Sequence, residues 1–235
     1  MVREIHHGAI PLIETHAATL RWGIAPMLLA RLIQAHGIPT LPVSPGAAIS
    51  FLLHALCAMV FGFGLRGIAW DAWRGKHAQF RRLFCAFQAG IFPKALLFSL
   101  IYAASATLPM VLPWREIRYA PLLVSYLFFF LPYRLYDHPQ DGMLPAIARA
   151  WRQFKQNISS LTLFHIRAFW WMPVMYWIIA LIALMTMYNS PASIAANPRG
   201  AALTMDILFV MMAWVLGPRV LLMQAGFAQR ITRED

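Results

Sequence analysis

Arg31, His54, His165, Arg167, Asp206 and Arg219 fall within or beside long apolar runs of this sequence. An ionisable side chain is costly in lipid, so each is a candidate for ion handling, proton transfer or substrate recognition. His54 has no carboxylate near it in sequence; a histidine so placed carries protons or packs with a satisfied ring. Asp206 is the only carboxylate inside a predicted span. It could handle a cation, or it could cap a helix start, where negative charge suits the dipole. Arg31 and Arg167 lie near enough to the starts of their spans for the charged heads to reach the interface. Arg66, Arg134 and Arg219 stand in the last turns of predicted spans, where cations complement helix C-termini and meet lipid phosphate.

Other chemistry finds less support. Asp137, His138 and Asp141 have metal-ligand types, but Pro139 and Gly142 among them make this a turn. His6 and His7 are adjacent and lack further ligands nearby. Cys57 and Cys85 have no metal or redox spacing and read as small packing residues. Nucleophile elbow, phosphate loop, metalloprotease helix and paired acidic motif are all missing from the sequence. The reading is of a non-enzymatic chain that needs no cofactor.

The elements that position these residues recur. The run LPAIARAWRQFKQNI at 144–158 places Ile147, Trp151, Phe154 and Ile158 at helical spacing. Arg149, Arg152, Gln153, Lys155 and Gln156 fill the other side, which predicts an amphipathic helix with a basic face. Sixty-seven positions earlier the frame returns as Phe80, Phe84, Phe87 and Ile91, with Arg81, Arg82 and Gln88 between them. Another 67 positions back it returns as Ile13, Ala17, Leu20 and Ile24. The same offset aligns Pro26 with Pro93, Arg82 with Arg149, and Thr40-Leu41-Pro42 with Thr107-Leu108-Pro109. One constant offset across three copies favours a true internal repeat.

Each copy precedes an apolar region long enough for two spans. Spans are predicted near 23–41, 47–70, 91–112, 119–136, 161–188 and 203–227. The first is marginal, because it holds Pro26, Arg31, Gln34 and His36. Gly62, Gly64 and Gly67 in the second could let another helix approach closely. Turns are predicted at 37–46, 113–118, 137–143 and 189–200. The expected fold is an all-α membrane protein, a single membrane domain over 1–235. Its six transmembrane helices form three tandem repeats of an interfacial amphipathic helix plus a transmembrane hairpin, at about 13–79, 80–146 and 147–227.

Composition fits. Of 235 residues, 60% are hydrophobic and 12% charged, and mean hydropathy is +0.58. Lipid must be the solvent for much of that surface. The N-terminal run MVREIHHGAIPLIETH is too polar for a signal-peptide core. Net charge is +11. The cations cluster beside apolar spans, so anionic membrane lipid, not nucleic acid, is the expected partner. The termini and repeat junctions hold Arg3, Arg21, Arg66, Arg74, Lys76, Arg81, Arg82, Lys94, Arg134, Arg149, Arg152, Lys155, Arg230 and Arg233. The opposite loops hold only Arg115, Arg118 and Arg199. That bias places both termini in the cytoplasm. The headgroup contacts expected are Arg66, Arg81, Arg82, Arg134, Arg149, Arg152, Lys155 and Arg219.

Asp141-Gly142, Ala150-Trp151, Phe154-Lys155 and Asn157 carry a resemblance. With the amphipathic helix and hairpin pattern, they resemble a broad group of bacterial six-helix membrane proteins of unknown function. That group is similar to the membrane domain of glycerophosphoryl diester phosphodiesterases. The resemblance implies an inner-membrane location and six helices, and it supplies no catalytic residues. This chain has no room for a phosphodiesterase barrel, so that activity is not implied. Its first span is poorer than the pattern leads one to expect. The expected function is lipid or envelope organisation, or service as a membrane-complex subunit with a membrane-protein partner. The alternative is a small transporter or transporter subunit using His54 and Asp206.

Overall fold

A computed structural model describes residues 1–37, 45–77, 79–111, 119–171, 174–175, 177–179, 181–182, 185 and 198–234. All of the turn expected at 113–118, most of those expected at 37–46 and 189–200, and part of the fifth span, lie outside the described residues. Among the described residues the fold is all-helical. α1 (Val2–Gly37) is followed by α2 (Pro45–Cys57), a π-helical turn (Ala58–Phe63) and α3 (Gly64–Trp73). A 3-10 helix (Phe80–Phe87) leads to α4 (Phe92–Val111), α5 (Ala120–Leu127), α6 (Leu131–Asp137), α7 (Met143–Phe169) and α8 (Pro198–Glu234).

Two helical stretches are long and apolar enough to cross a membrane, Ala48–Trp73 and Asp206–Thr232. A third qualifies if Phe80–Phe87 and Phe92–Thr107, bent by 89°, count as one span. The first stretch joins α2, the π turn and α3. The second is most of α8.

The three segments expected at the interface differ from one another. The second is set off from α4, as expected, because Pro93 opens that helix and Gln88 is extended at φ −66°, ψ 139°. The first and third are not set off. α1 runs unbroken through the expected boundary at 22–23. Gly23 is there a contact position: a Cβ would meet the side chains of Leu65 and Leu83. α7 likewise runs straight through the polar run 153–157, where a break is expected. Gln and Lys are good helix formers, so a polar face alone ends nothing.

The predicted fourth span is interrupted. α5 stops at Leu127, and a turn at 128–130 precedes α6. Pro132, in the first turn of α6, cannot donate to the carbonyl of Phe128 and its ring crowds that turn.

α1 and α8 pack antiparallel. Glu4 meets Arg230, His6 meets Arg219, and Ile24 fills the space beside Gly217. The two ends of the described chain therefore lie at the same end of the fold. The indole of Trp73 sits between these helices, over Gly8 and Gly226, and donates to the carbonyl of Leu222. Behind it lies an aromatic core in which Phe164 stacks on Phe227 at 4.5 Å, and Phe227 also meets Phe129 and Phe130.

Gly64 does admit a close neighbour, as its position in the sequence suggests. The neighbour is the 3-10 helix, whose Leu83 main chain occupies the space of a Cβ. Gly67 faces Tyr136 and Cys85, while Gly62 faces nothing within 4 Å.

Candidate functional site

The polar chemistry of the protein gathers where α3, the 3-10 helix, α4, α6 and α7 begin or end. Asp137, closing α6, receives the Trp70 indole N–H at 3.2 Å and the Arg74 guanidinium at 2.7 Å. The Arg74 guanidinium also lies 4.6 Å over the Trp70 ring. Arg82 pairs with Asp71 at 3.0 Å and lies over the Tyr136 ring. Arg149 pairs with Asp141 at 2.9 Å. Lys94, buried in the first turn of α4, donates to the carbonyl of Pro139 at 2.6 Å. A buried ammonium needs such an acceptor. The Tyr136 hydroxyl donates to the carbonyl of Phe63, the last residue of the π turn. Three carboxylates and four cations thus clamp the helix ends into one layer.

Outside that layer the surface is apolar. Ile49, Leu52 and Leu56 line one exposed face of α2. Leu203, Ile207, Met211 and Val215 step along an exposed face of α8. Only 17% of the apolar window of α8 is buried within the protein. Contiguous exposed faces of this size are rare on soluble monomers and mark surface that meets something other than water.

The 3-10 helix shows how apolar surface and cations meet. Its three-residue turn sends Leu83 and Ala86 inward. Arg81, Phe84 and Phe87 form the outer column, with Phe80 also exposed. Phe87 stacks on Phe92 at 6.1 Å, extending the aromatic patch onto α4. The sequence frame treats Phe80, Phe84, Phe87 and Ile91 as one α-helical face; of these only Ile91 is buried. α7 shows the same arrangement. Trp151 and Ile158 are exposed, and the inward seam is Ala146, Ala150, Phe154, Leu161, Phe164 and Ala168. Small residues let α7 approach its neighbours closely, so alanine takes the inside and tryptophan the outside.

The remaining candidates are dispersed. His54, in α2, bonds through Nδ1 to the carbonyl of Ser50 at 2.9 Å. His165, in α7, does the same to Leu161 at 2.9 Å, and its ring packs against Tyr126 and Phe129. Asp206 is half-buried in α8, about two turns after the helix begins at Pro198, so it does not cap that helix. α2 packs chiefly on α4, and α8 chiefly on α1. The backbone of Arg31 lies within α1. Arg167 is exposed in the last turn of α7, and Arg152 and Lys155 are exposed on its polar side. Arg134 is half-buried in α6. Arg219 donates to Nε2 of His6.

Charges also meet at the terminal end of the fold. The N-terminal ammonium and Arg230 both hydrogen-bond Glu4 and hold its carboxyl below the usual carboxylate range. Partial burial, then the nearby Arg219 and His7, hold the His6 imidazole below its ordinary range. Among the described residues no group of three His, Cys, Asp or Glu side chains comes together to hold a metal. Comparison with family models, curated proteins and solved structures returned no match for this chain.

Proposed function

We propose that the chain is a multi-pass protein of a bacterial inner membrane that organises or handles lipid, or supports a membrane complex, without catalysis of its own. The observation that carries this reading is a pairing of surfaces. Broad apolar faces on α2 and α8 adjoin a layer of cations whose exposed members, among them Arg81, Arg152 and Lys155, stand beside exposed Phe84, Phe87 and Trp151. Aromatic rings with cations at one level suit the boundary between acyl chains and headgroups.

The reading includes six spans built as three tandem units, with both termini in the cytoplasm. Two facts support it. Arg82 and Arg149, 67 positions apart, each pair with an aspartate shortly before them in sequence, Asp71 in the last turn of α3 and Asp141 in the turn before α7. The described chain ends also lie together, as an even number of crossings requires. Anionic lipid of the inner leaflet is the partner that the charge favours. The transport alternative needs His54 and Asp206 to converge, and their helices pack chiefly on different neighbours.

The test is purification of the chain from native membranes in a mild detergent, with identification of what accompanies it. Enrichment of anionic phospholipid, or a stoichiometric membrane-protein partner, supports the reading. Release of the chain by alkaline carbonate would refute membrane integration.

A further inference from the structure

Phenylalanine rings gather on the outside of the 3-10 helix and the start of α4. Phe80, Phe84, Phe87 and Phe92 are between 38% and 53% exposed. Phe84 meets Phe87 at 6.4 Å, and Phe87 stacks on Phe92 at 6.1 Å, so these rings form a continuous strip. The strip runs on along α4 at helical spacing, where Leu96 is half-buried and Leu100 is exposed.

The rings cannot turn inward. Leu83, Cys85 and Ala86 fill the inner side of the 3-10 helix. The Leu83 main chain lies so close to Gly64 that no Cβ would fit there, and Arg82 is tied to Asp71 at 3.0 Å. The 3-10 helix is bent by 89° from α4. On the membrane reading above α4 crosses the bilayer, so the 3-10 helix lies in its plane. A strip that turns this corner follows the edge of one leaflet. Its rings sit under the headgroups and its aliphatic side chains continue deeper along α4.

Charge has little part in this surface. Of the two cations on the 3-10 helix only Arg81 is exposed, and Lys94 on α4 is buried against the Pro139 carbonyl. Taking the remaining half of a phenylalanine side chain out of water is worth about threefold to tenfold in partition. Several such rings outweigh the about fivefold that a single cation gains at an anionic surface.

We propose that Phe80, Phe84, Phe87 and Phe92 insert among the acyl chains just below the headgroups of one leaflet. This surface takes neutral and anionic lipid alike, because aromatic volume and not charge holds it there. Arg81 shares a column with Phe84 and Phe87, and its long stem returns the guanidinium to the headgroups while the rings stay below. The proposal rests on the membrane reading and narrows it: at this surface anionic headgroups are not required.

The full chain, with Cys57 and Cys85 replaced by alanine, carries a nitroxide on Phe84→Cys or, as a control in water, on Lys76→Cys. It is reconstituted in nanodiscs of dioleoylphosphatidylcholine, and of that lipid mixed with dioleoylphosphatidylglycerol. Collisions with oxygen, which concentrates among acyl chains, are compared with collisions with a water-soluble nickel chelate. The label at 84 should favour oxygen in both nanodiscs, and the label at 76 should favour nickel. Adding Arg81→Gln should leave the ratio at 84 within about twofold in the neutral nanodisc, where no anionic surface attracts the cation. Adding Phe80→Ser with Phe87→Ser should shift it towards nickel by about threefold or more, the partition lost with a ring. These side chains point outward, so the melting temperature in detergent should stay as it was, which separates lost insertion from lost folding. Nickel access at 84 in both nanodiscs would overturn the proposal, as would oxygen access that needs phosphatidylglycerol. Dipolar broadening between labels at 84 would put a second copy of the chain on the patch and overturn it too. Release by alkaline carbonate would remove the membrane reading itself. A chain that resists carbonate yet keeps position 84 in water loses only this surface.

Discussion

The Trp70 indole donates to Asp137 across 67 residues, the offset at which the apolar frame of the sequence recurs. On the three-unit reading proposed above, these are equivalent positions of neighbouring units. Arg74 adds charge from the same helix end, pairing with the carboxylate that accepts the indole proton. α3 ends just before the 3-10 helix and α6 ends just before α7, so this contact ties one connection to the next. Tyr136, one residue before Asp137, reaches back to the π turn and fixes the same pair of helices at a second point.

Asp137→Asn keeps an acceptor for Trp70 and removes the charge that Arg74 faces. Asp137 is 18% exposed, so solvent compensates only in part. The expected cost is about 1–2 kcal/mol. For a chain of this length that lowers the melting temperature by roughly 2–8 °C. Asp141→Asn breaks a pair whose arginine is 44% exposed, and it should cost at most about 1 kcal/mol. Thermal unfolding of the two variants in one detergent checks the ranking, and equal losses would contradict it.

Gly64→Ala and Gly62→Ala should differ in sign. At Gly64 a methyl group would overlap the main chain of Leu83, and backbone cannot yield as a side-chain tip can. Overpacking of this kind costs about 3 kcal/mol or more, and here it would lever the 3-10 helix off α3. At Gly62 nothing lies within 4 Å, and alanine should be neutral or stabilising by up to about 1 kcal/mol. Yield of folded protein after detergent extraction, with its melting temperature, separates the two.

The long apolar stretches ending at Trp73 and Thr232 were legible in the sequence, because a run of that length has no other solvent. Continuity was harder to read. Gly23 and the run 153–157 look like boundaries, yet one is a contact glycine and the other is made of good helix formers. The inward seam of α7 was not legible either: the periodicity marks Trp151 and Ile158 as one apolar side, and it does not say that the small residues Ala146, Ala150 and Ala168 face the neighbouring helices.

Acid should loosen the contact between α1 and α8. Neutral His6 accepts from Arg219, while a protonated ring would face Arg219 and His7 with like charge. The folded state holds His6 below its ordinary value of 6.5, so below that pH the unfolded chain binds more protons. Stability is then fully present above about pH 6.5 and declines as pH falls from there towards the folded value. His16, also held low by burial and by His77, contributes with the same sign. Glu4 acts in a lower window: its depressed carboxyl adds stability that is lost only as pH falls below 4.5. His6→Gln keeps an acceptor for Arg219 and cannot titrate. Melting temperatures from pH 7.5 to 5 should fall less steeply in that variant than in the wild type. Parallel curves would remove His6 from the account.

On the membrane reading, orientation follows from the junction layer. Its cations divide into two groups. Arg74, Arg82 and Lys94 are held by Asp137, Asp71 and the Pro139 carbonyl, whereas Arg81, Arg152 and Lys155 are exposed beside Phe84, Phe87 and Trp151. On the membrane reading proposed above the second group meets headgroups, and positive charge on short connections is retained in the cytoplasm. Lys76, exposed between α3 and the 3-10 helix, should therefore be cytoplasmic, and the connection at 189–197 should lie on the opposite side. With Cys57 and Cys85 replaced by serine or alanine, a single cysteine at Asn189 should react with a membrane-impermeant thiol reagent added to intact cells. One at Lys76 should react only after the membrane is opened. Labelling of both from outside would mean an even number of crossings between them, against the odd number that six spans require. The reverse pattern would put the basic layer on the outer face, and the attraction to anionic inner-leaflet lipid would go with it.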